Sequence, residues 1–366
     1  MDLIKSIIDF LSAPTISFTL LTVAFPFIFP PTDWFETKNR QWGIYKLWSN
    51  KGGLCIFTAI TLFFIVGYFD PYFNLTMTKP DNIPIIILIY SMFLAVWYGM
   101  KKAFLNDERL DRGEKPEEWN DPEDKVLVWP DLVYIELIAL ILFMVFLIVW
   151  SILVAAPLEE PANPASTPNP SKAPWYFLGL LEMLVYFDPW MAGVVLPTLI
   201  LVGLMVIPYM DANPLGNGYY TFKQRKFAIL AFLFGFVVLW LSMVVIGTFI
   251  RGPGWIWFWP GQTWDHNKVI FEVNRDLPDM FGITTMMGKS LFGGAVFGLY
   301  TLLMVFVVHK LFTMNEFNRK IYERMTLIQY VTLQIFLVSM MLLPAKILAR
   351  LLFRIKYVWI TPWFNI

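Results

Sequence analysis

The chain has 366 residues, of which 57% are hydrophobic and only 15% charged, with a mean hydropathy of +0.58. So few charges cannot cover a soluble protein of this size, which leaves an integral membrane protein. The zero formal net charge argues against a nucleic-acid partner, and the single Cys55 excludes an internal disulfide and any multi-cysteine metal site.

At the N-terminus, Asp2, Lys5 and Asp9 precede an apolar stretch interrupted by Pro14 and Pro26. It has no Ala-x-Ala-like cleavage site, so a cleavable signal peptide is not expected. The stretch Ile16–Phe29 is short and ends at Pro30-Pro31. It reads equally as a span, a re-entrant segment or a surface helix. Seven further apolar stretches have the length of membrane-crossing helices: Leu54–Phe69, Ile83–Met100, Leu132–Val154, Trp190–Pro208, Phe227–Ile250, Lys289–Phe312 and Ile328–Pro344. The predicted fold is an all-α integral membrane protein with about seven or eight transmembrane helices, an external Pro-rich loop and a short surface helix.

Four units follow from the pattern. Residues 1–100 form an N-terminal membrane segment, and residues 101–131 a charged linker with Pro116, Pro122 and Pro130. Residues 132–250 carry three helices. Residues 251–366 hold a loop with Trp255, Trp257, Trp259 and Trp264, two further helices and a basic tail.

Loop charge sets the predicted orientation. Lys38, Arg40, Lys46 and Lys51, then Lys223, Arg225 and Lys226, then Arg319, Lys320 and Arg324 all fall on one side when the helices alternate. The positive-inside rule makes that side cytoplasmic and the loop 155–189, whose one base is Lys172, external. The tail departs from the rule: Lys346, Arg350, Arg354 and Lys356 would be external if the last helix spans. An amphipathic interfacial helix with snorkelling bases is the alternative. Gly293, Gly294 and Gly298 have small-residue spacing, with Gly294-x-x-x-Gly298 expected as the tightest helix contact.

Lys172-Ala173-Pro174-Trp175-Tyr176-Phe177-Leu178 concentrates aromatic bulk, a polar handle and rigid backbone between two spans, after a proline-studded loop. Trp and Tyr settle at the membrane interface because their rings are apolar at one end and hydrogen-bonding at the other. A flat lipophilic molecule with polar oxygens, such as a quinone, would find stacking surface and a donor hydroxyl there.

The segment from Trp129 to Ile250 resembles the C-terminal half of cytochrome b, in the form of the separate subunit IV of split quinol-oxidising complexes. The resemblance is carried by Trp129-Pro130-Asp131-Leu132-Val133-Tyr134, by Glu160-Pro161-Ala162-Asn163-Pro164-Ala165-Ser166-Thr167-Pro168 and by Pro174-Trp175-Tyr176-Phe177-Leu178. Ile207-Pro208-Tyr209, Asn213-Pro214 and Arg225-Lys226 follow in the family's order. It implies a non-haem-ligating membrane subunit of a cytochrome bc-type quinol oxidoreductase in an energy-transducing inner membrane. Pro174, Trp175, Tyr176, Phe177 and Leu178 would wall an external quinol-oxidation pocket, the Tyr176 hydroxyl meeting a quinone oxygen. Implied partners are a haem-bearing cytochrome b N-terminal-type subunit, a Rieske iron–sulfur protein and a c-type cytochrome, in a multi-subunit and in some forms dimeric complex.

One departure matters. The family motif is Pro-Glu-Trp-Tyr, its glutamate helping to remove a quinol proton, whereas here Pro174 stands at that position and Ala173 at the proline. A proton acceptor must lie within hydrogen-bond reach of the quinol hydroxyl, directly or through a water. If residues 174–185 are helical, Glu182 lies about 80° round from Pro174 at 3.6 residues per turn, near the same face. Glu182 is therefore the predicted substitute acceptor, against an interfacial carboxylate that pairs with a neighbouring subunit.

Two b haems need four imidazoles, and the chain has only His266 and His309, so b haems are expected on a partner chain. His309 reads as a hydrogen-bonded structural residue and His266 as a weak candidate for a metal or partner contact. Cys55 reads as an inert thiol rather than a haem thioether. Glu159 and Glu160 read as solvated or partner-facing, and Glu136 as interfacial. A scaffold without a working quinol site is the nearest alternative function. A transporter is disfavoured by the lack of an inverted repeat and of mid-helix charges.

Overall fold

The computed structural model describes residues 10, 13, 15–16, 33–120, 127–154, 161, 163–212, 220–259, 261–271 and 273–366. Residues 17–29 of the Ile16–Phe29 stretch lie outside the described residues, as do Glu159, Glu160 and the Asn213-Pro214 pair. The described helices are α1 (Asp33–Trp42), α2 (Asn50–Tyr68), α3 (Pro71–Met77), α4 (Pro80–Asp111), α5 (Val128–Leu153) and α6 (Leu178–Met183). They continue with α7 (Met191–Met210), α8 (Phe222–Ile250), α9 (Leu277–Met280), α10 (Met286–Met314), α11 (Glu316–Arg324) and α12 (Leu327–Phe353). Seven of these, α2, α4, α5, α7, α8, α10 and α12, are long and apolar enough to cross a membrane. They answer the seven apolar stretches one for one. Among the described residues the β structure is limited to isolated bridges.

Local chemistry sets the helix ends. Ser49 caps α2 by accepting from Gly52 N, and Thr285 caps α10 by accepting from Gly288 N. Thr326 and Gln329 form a reciprocal capping box at the start of α12. Helix α4 runs past Met100 to Asp111, into the charged linker, because its last turns are tied to the start of α8. Asp107 accepts from Lys223 N at 3.0 Å, Asn106 donates to Tyr220 O at 2.9 Å, and Asp111 pairs with Lys223 Nζ at 2.6 Å.

Helix α8 is the spine. Helices α2, α3 and α4 pack on one flank, with Phe73 of α3 and Ile85 and Ile89 of α4 against Val244 and Phe249 and with Ile60 and Phe64 of α2 beside them, and near the charged end α4 packs through Met100 and Ala103 on Phe222. On the other flank Met243 meets Met183, Tyr186 and Phe187 beside α6, with Leu343 and Ile347 of α12. Helix α5 differs from all of these, since none of its side chains from Val133 to Leu153 is buried. Its apolar surface requires lipid or another chain to cover it.

The basic tail is not an interfacial helix. Leu327–Phe353 is one continuous helix containing Lys346 and Arg350, and the chain reverses at Arg354 in the left-handed conformation (φ 58°). Lys346 is buried, donates to Lys356 O at 2.5 Å and lies over the Phe187 ring at 5.6 Å. It turns inward because the returning tail supplies a carbonyl acceptor, whereas a snorkelling base would face water. Lys356 N donates to Arg275 O and Leu277 N to Tyr357 O, which fastens the tail beneath the Trp-rich loop.

The expected Gly294–Gly298 contact is also displaced. A Cβ on Gly298 would meet nothing within 4 Å, whereas one on Gly293 would sit 2.6 Å from Trp359 Cα and 2.7 Å from Val358 O. The close approach is between α10 and the backbone of the returning tail, which had no helical periodicity to betray it. Gly293→Val should therefore destabilise the protein by about 1–3 kcal/mol, the usual cost of overpacking, while Gly298→Ala should change the thermal unfolding midpoint little.

Candidate functional site

The proline loop and the Trp-rich loop form one layer over the ends of α6 and α8. Asn169 joins them: its Oδ1 accepts from Gly254 N at 2.6 Å, and its Nδ2 donates to His266 O and Lys268 O, both at 2.9 Å. His266 Nδ1 lies 3.1 Å from Asn169 O, so His266 belongs to this seam. Lys172 Nζ donates to Thr248 O at 2.7 Å, placing a cation against the carbonyl end of α8, where the helix dipole favours it. Burial lowers the Lys172 ammonium to about 7, because a dry environment penalises the charged form.

The aromatic motif sits directly beyond. Trp175–Phe177 makes a single 3₁₀ turn that runs into α6, so the motif has a rigid helical mount. Leu178 is only 2% exposed and locks the mount into the core, with Trp175 packed on the same cluster. Tyr176 and Phe177 are 54% and 50% exposed, their ring centroids 4.7 Å apart, and Trp175 stands edge-on to Tyr176 at 5.7 Å. No described residue engages the Tyr176 hydroxyl, so it remains a donor facing outward beside stacking surface. Pro174 is exposed at the start of the turn. An open pocket of about 320 Å³ lies on the loop seam, lined by Thr167, Asn169, Gly254 and Lys268 among others, and includes none of these motif residues.

Glu182 lies at the base of the mount, fully buried, and is held by Arg251, which is 4% exposed. Arg251 Nη2 donates to Glu182 Oε1 at 2.6 Å and Nε to Oε2 at 3.0 Å, a bidentate pair. Tyr186 OH donates to Oε1 at 3.3 Å, and burial together with that carboxylate raises the Tyr186 hydroxyl above its ordinary range. Arg251 Nη1 donates to Trp255 O at 2.9 Å, and the guanidinium lies 5.3 Å from the Trp257 ring. Sequence reasoning did not single out Arg251. The signal was present: it is the first charge after an apolar helix, at the same membrane edge as the one carboxylate of α6.

The two histidines do not make a haem site between them. His266 is in the loop seam, while His309 lies 23 residues along α10 from Met286, about 34 Å by helical rise. His309 Nδ1 is 2.6 Å from Tyr330 OH, inside a cluster with Tyr322. Paired imidazoles on facing helices are required for a bis-histidine haem, and these residues do not fit it. Cys55 is exposed in the second turn of α2.

No solved structure matches the chain. Residues 161–253, from the proline loop through the aromatic motif to Arg251 and Pro253, match the family described as cytochrome b(C-terminal)/b6/petD. The segment that carries Asn169, Tyr176, Glu182 and Arg251 is thus a cytochrome b C-terminal domain, set in a chain with seven helices long and apolar enough to cross a membrane.

Proposed function

We propose that this subunit forms one wall of a quinol-oxidation pocket, with Pro174, Trp175, Tyr176, Phe177 and Leu178 as the wall and the loop layer on the external side of the membrane. The reading rests on one observation above others: within a cytochrome b C-terminal domain, the exposed Tyr176–Phe177 pair stands on a buried, ion-paired helix. Phe177 and Trp175 offer aromatic faces to a quinone ring, and the Tyr176 hydroxyl donates to one of its oxygens. Oxidation of the quinol releases two protons and two electrons. The b haems, borne by a cytochrome b N-terminal-type partner, and a Rieske protein would take one electron each, with a c-type cytochrome downstream.

Glu182 is the proposed proton acceptor in place of the family glutamate. Its oxygens are committed to Arg251, so it takes a proton only as that pair parts. The bidentate geometry favours a second role, in which Glu182 and Arg251 anchor the mount and the proton leaves by water. The two roles separate experimentally. As acceptor, Glu182→Gln in the assembled complex slows quinol oxidation by about 100-fold or more, and exchanging the two charges does not restore it. As anchor, Glu182→Gln and Arg251→Gln each destabilise by about 3–5 kcal/mol, the cost of stranding one buried charge, and the exchanged pair recovers activity.

Tyr176→Phe removes only the hydroxyl. With about 1 kcal/mol for the lost hydrogen bond, the KM for quinol should rise about five- to tenfold while subunit assembly is unchanged. An unchanged KM, measured as quinol-dependent acceptor reduction, would leave the scaffold reading. Absorption spectra provide an independent check: purified complex should show b-haem bands that are lost when this polypeptide is isolated from its partners. Haem retained by the isolated chain would contradict the assignment.

A further inference from the structure

Along the seam of α2, α4 and α8, on the side of the aromatic motif, Phe73 of α3, Ile85 and Ile89 of α4 and Val244 of α8 pack together with Ile60 and Phe64 of α2, and at the far end Met100 and Ala103 of α4 meet Phe222 of α8. Between these levels lies a cavity of about 240 Å³, open on one side, with Ile56, Phe93, Trp97, Leu233, Val237 and Leu241 among its lining. Every lining side chain is aliphatic or aromatic, and the Trp97 N–H is already donated to Ser49 O at 3.1 Å. Such a cavity offers water no partners and stays dry. All three helices belong to the membrane-crossing set, so the space opens onto hydrocarbon.

The mouth is basic. Lys101, one turn beyond Trp97, holds its ammonium 5.2 Å from the Trp97 ring centroid. Lys46 lies in the same short turn as Trp48, which also lines the cavity. Three nearby bases are held in salt bridges: Lys102 with Glu117, Lys223 with Asp111 and Arg225 with Asp211. Among the described residues neither Lys46 nor Lys101 closes a salt bridge, and the only acid that feels Lys101, Glu117, is already bonded to Lys102. An apolar slot beneath two ammonium groups that close no salt bridge has the chemistry of a lipid with a negative headgroup.

We propose that this cavity takes one acyl chain of an anionic phospholipid whose phosphate is held by Lys46 and Lys101. The lipid completes the seam between the N-terminal helix pair and the cytochrome b C-terminal domain. The site is independent of quinol chemistry and lies away from the aromatic motif.

The test uses the intact complex purified in mild detergent and supplied with phosphatidylglycerol carrying a photoreactive acyl chain. Labelling should concentrate on Met92, Phe93 and Trp97, and native mass spectrometry should show one retained phosphatidylglycerol per chain. Replacing both bases, Lys46→Ala with Lys101→Ala, should weaken retention about thirtyfold, as about 1 kcal/mol per base implies. Val237→Phe, which fills the slot, should abolish labelling there. If that variant does not assemble, the double lysine variant decides, because its changes lie outside the packed interior. Equal retention of phosphatidylcholine, a quinone in the slot, labelling spread over outward positions such as Leu302, or unchanged retention in the lysine variant would each overturn the proposal.

Discussion

The buried pair between Glu182 and Arg251 is the constraint on which the rest of the functional end depends. A carboxylate and a guanidinium removed from water must satisfy each other's hydrogen-bonding capacity, because an isolated charge in a dry interior is too costly to tolerate. The pair therefore determines how α6 meets the end of α8. The orientation of α6 turns Leu178 into the core and leaves Tyr176 and Phe177 outside. Trp255 O and the Tyr186 hydroxyl complete the polar shell, so the start of the Trp-rich loop is drawn into the same arrangement. An aromatic surface held this way is preorganised.

Polar interactions staple α8 at both ends. At one end Lys172 meets the Thr248 carbonyl and Asn169 threads the two loops together. At the other, Asp107 receives the Lys223 N–H and Asp111 its ammonium. Between these staples the contacts are purely apolar, and inside a bilayer apolar contact between helices has no hydrophobic driving force against lipid. That is why the middle of the seam is where α2, α4 and α8 part.

Assembly is written into what the chain leaves uncovered and unsupplied. Helix α5 buries none of its side chains from Val133 to Leu153, and its surface must be covered from outside. His266 is engaged within the loop seam and His309 with Tyr330 of α12.

Much of this was legible in the sequence because the membrane imposes a simple code. An apolar run of sufficient length is a span, and seven were found where seven helices stand. The aromatic motif was legible because Trp and Tyr at a membrane edge, after prolines, have few structural alternatives. Glu182 was located on its helix, but its partner was not, since pairing across 69 residues leaves no local periodicity. The same reason hid Asn169, the tail anchored through Lys346, and the approach of Gly293 to Trp359. Sequence alone thus determined which segments cross the membrane and which run faces its edge, because those follow from local hydrophobicity and side-chain type. Only the tertiary structure decided which buried charges meet and where helices part, because those depend on contacts between residues far apart in the chain.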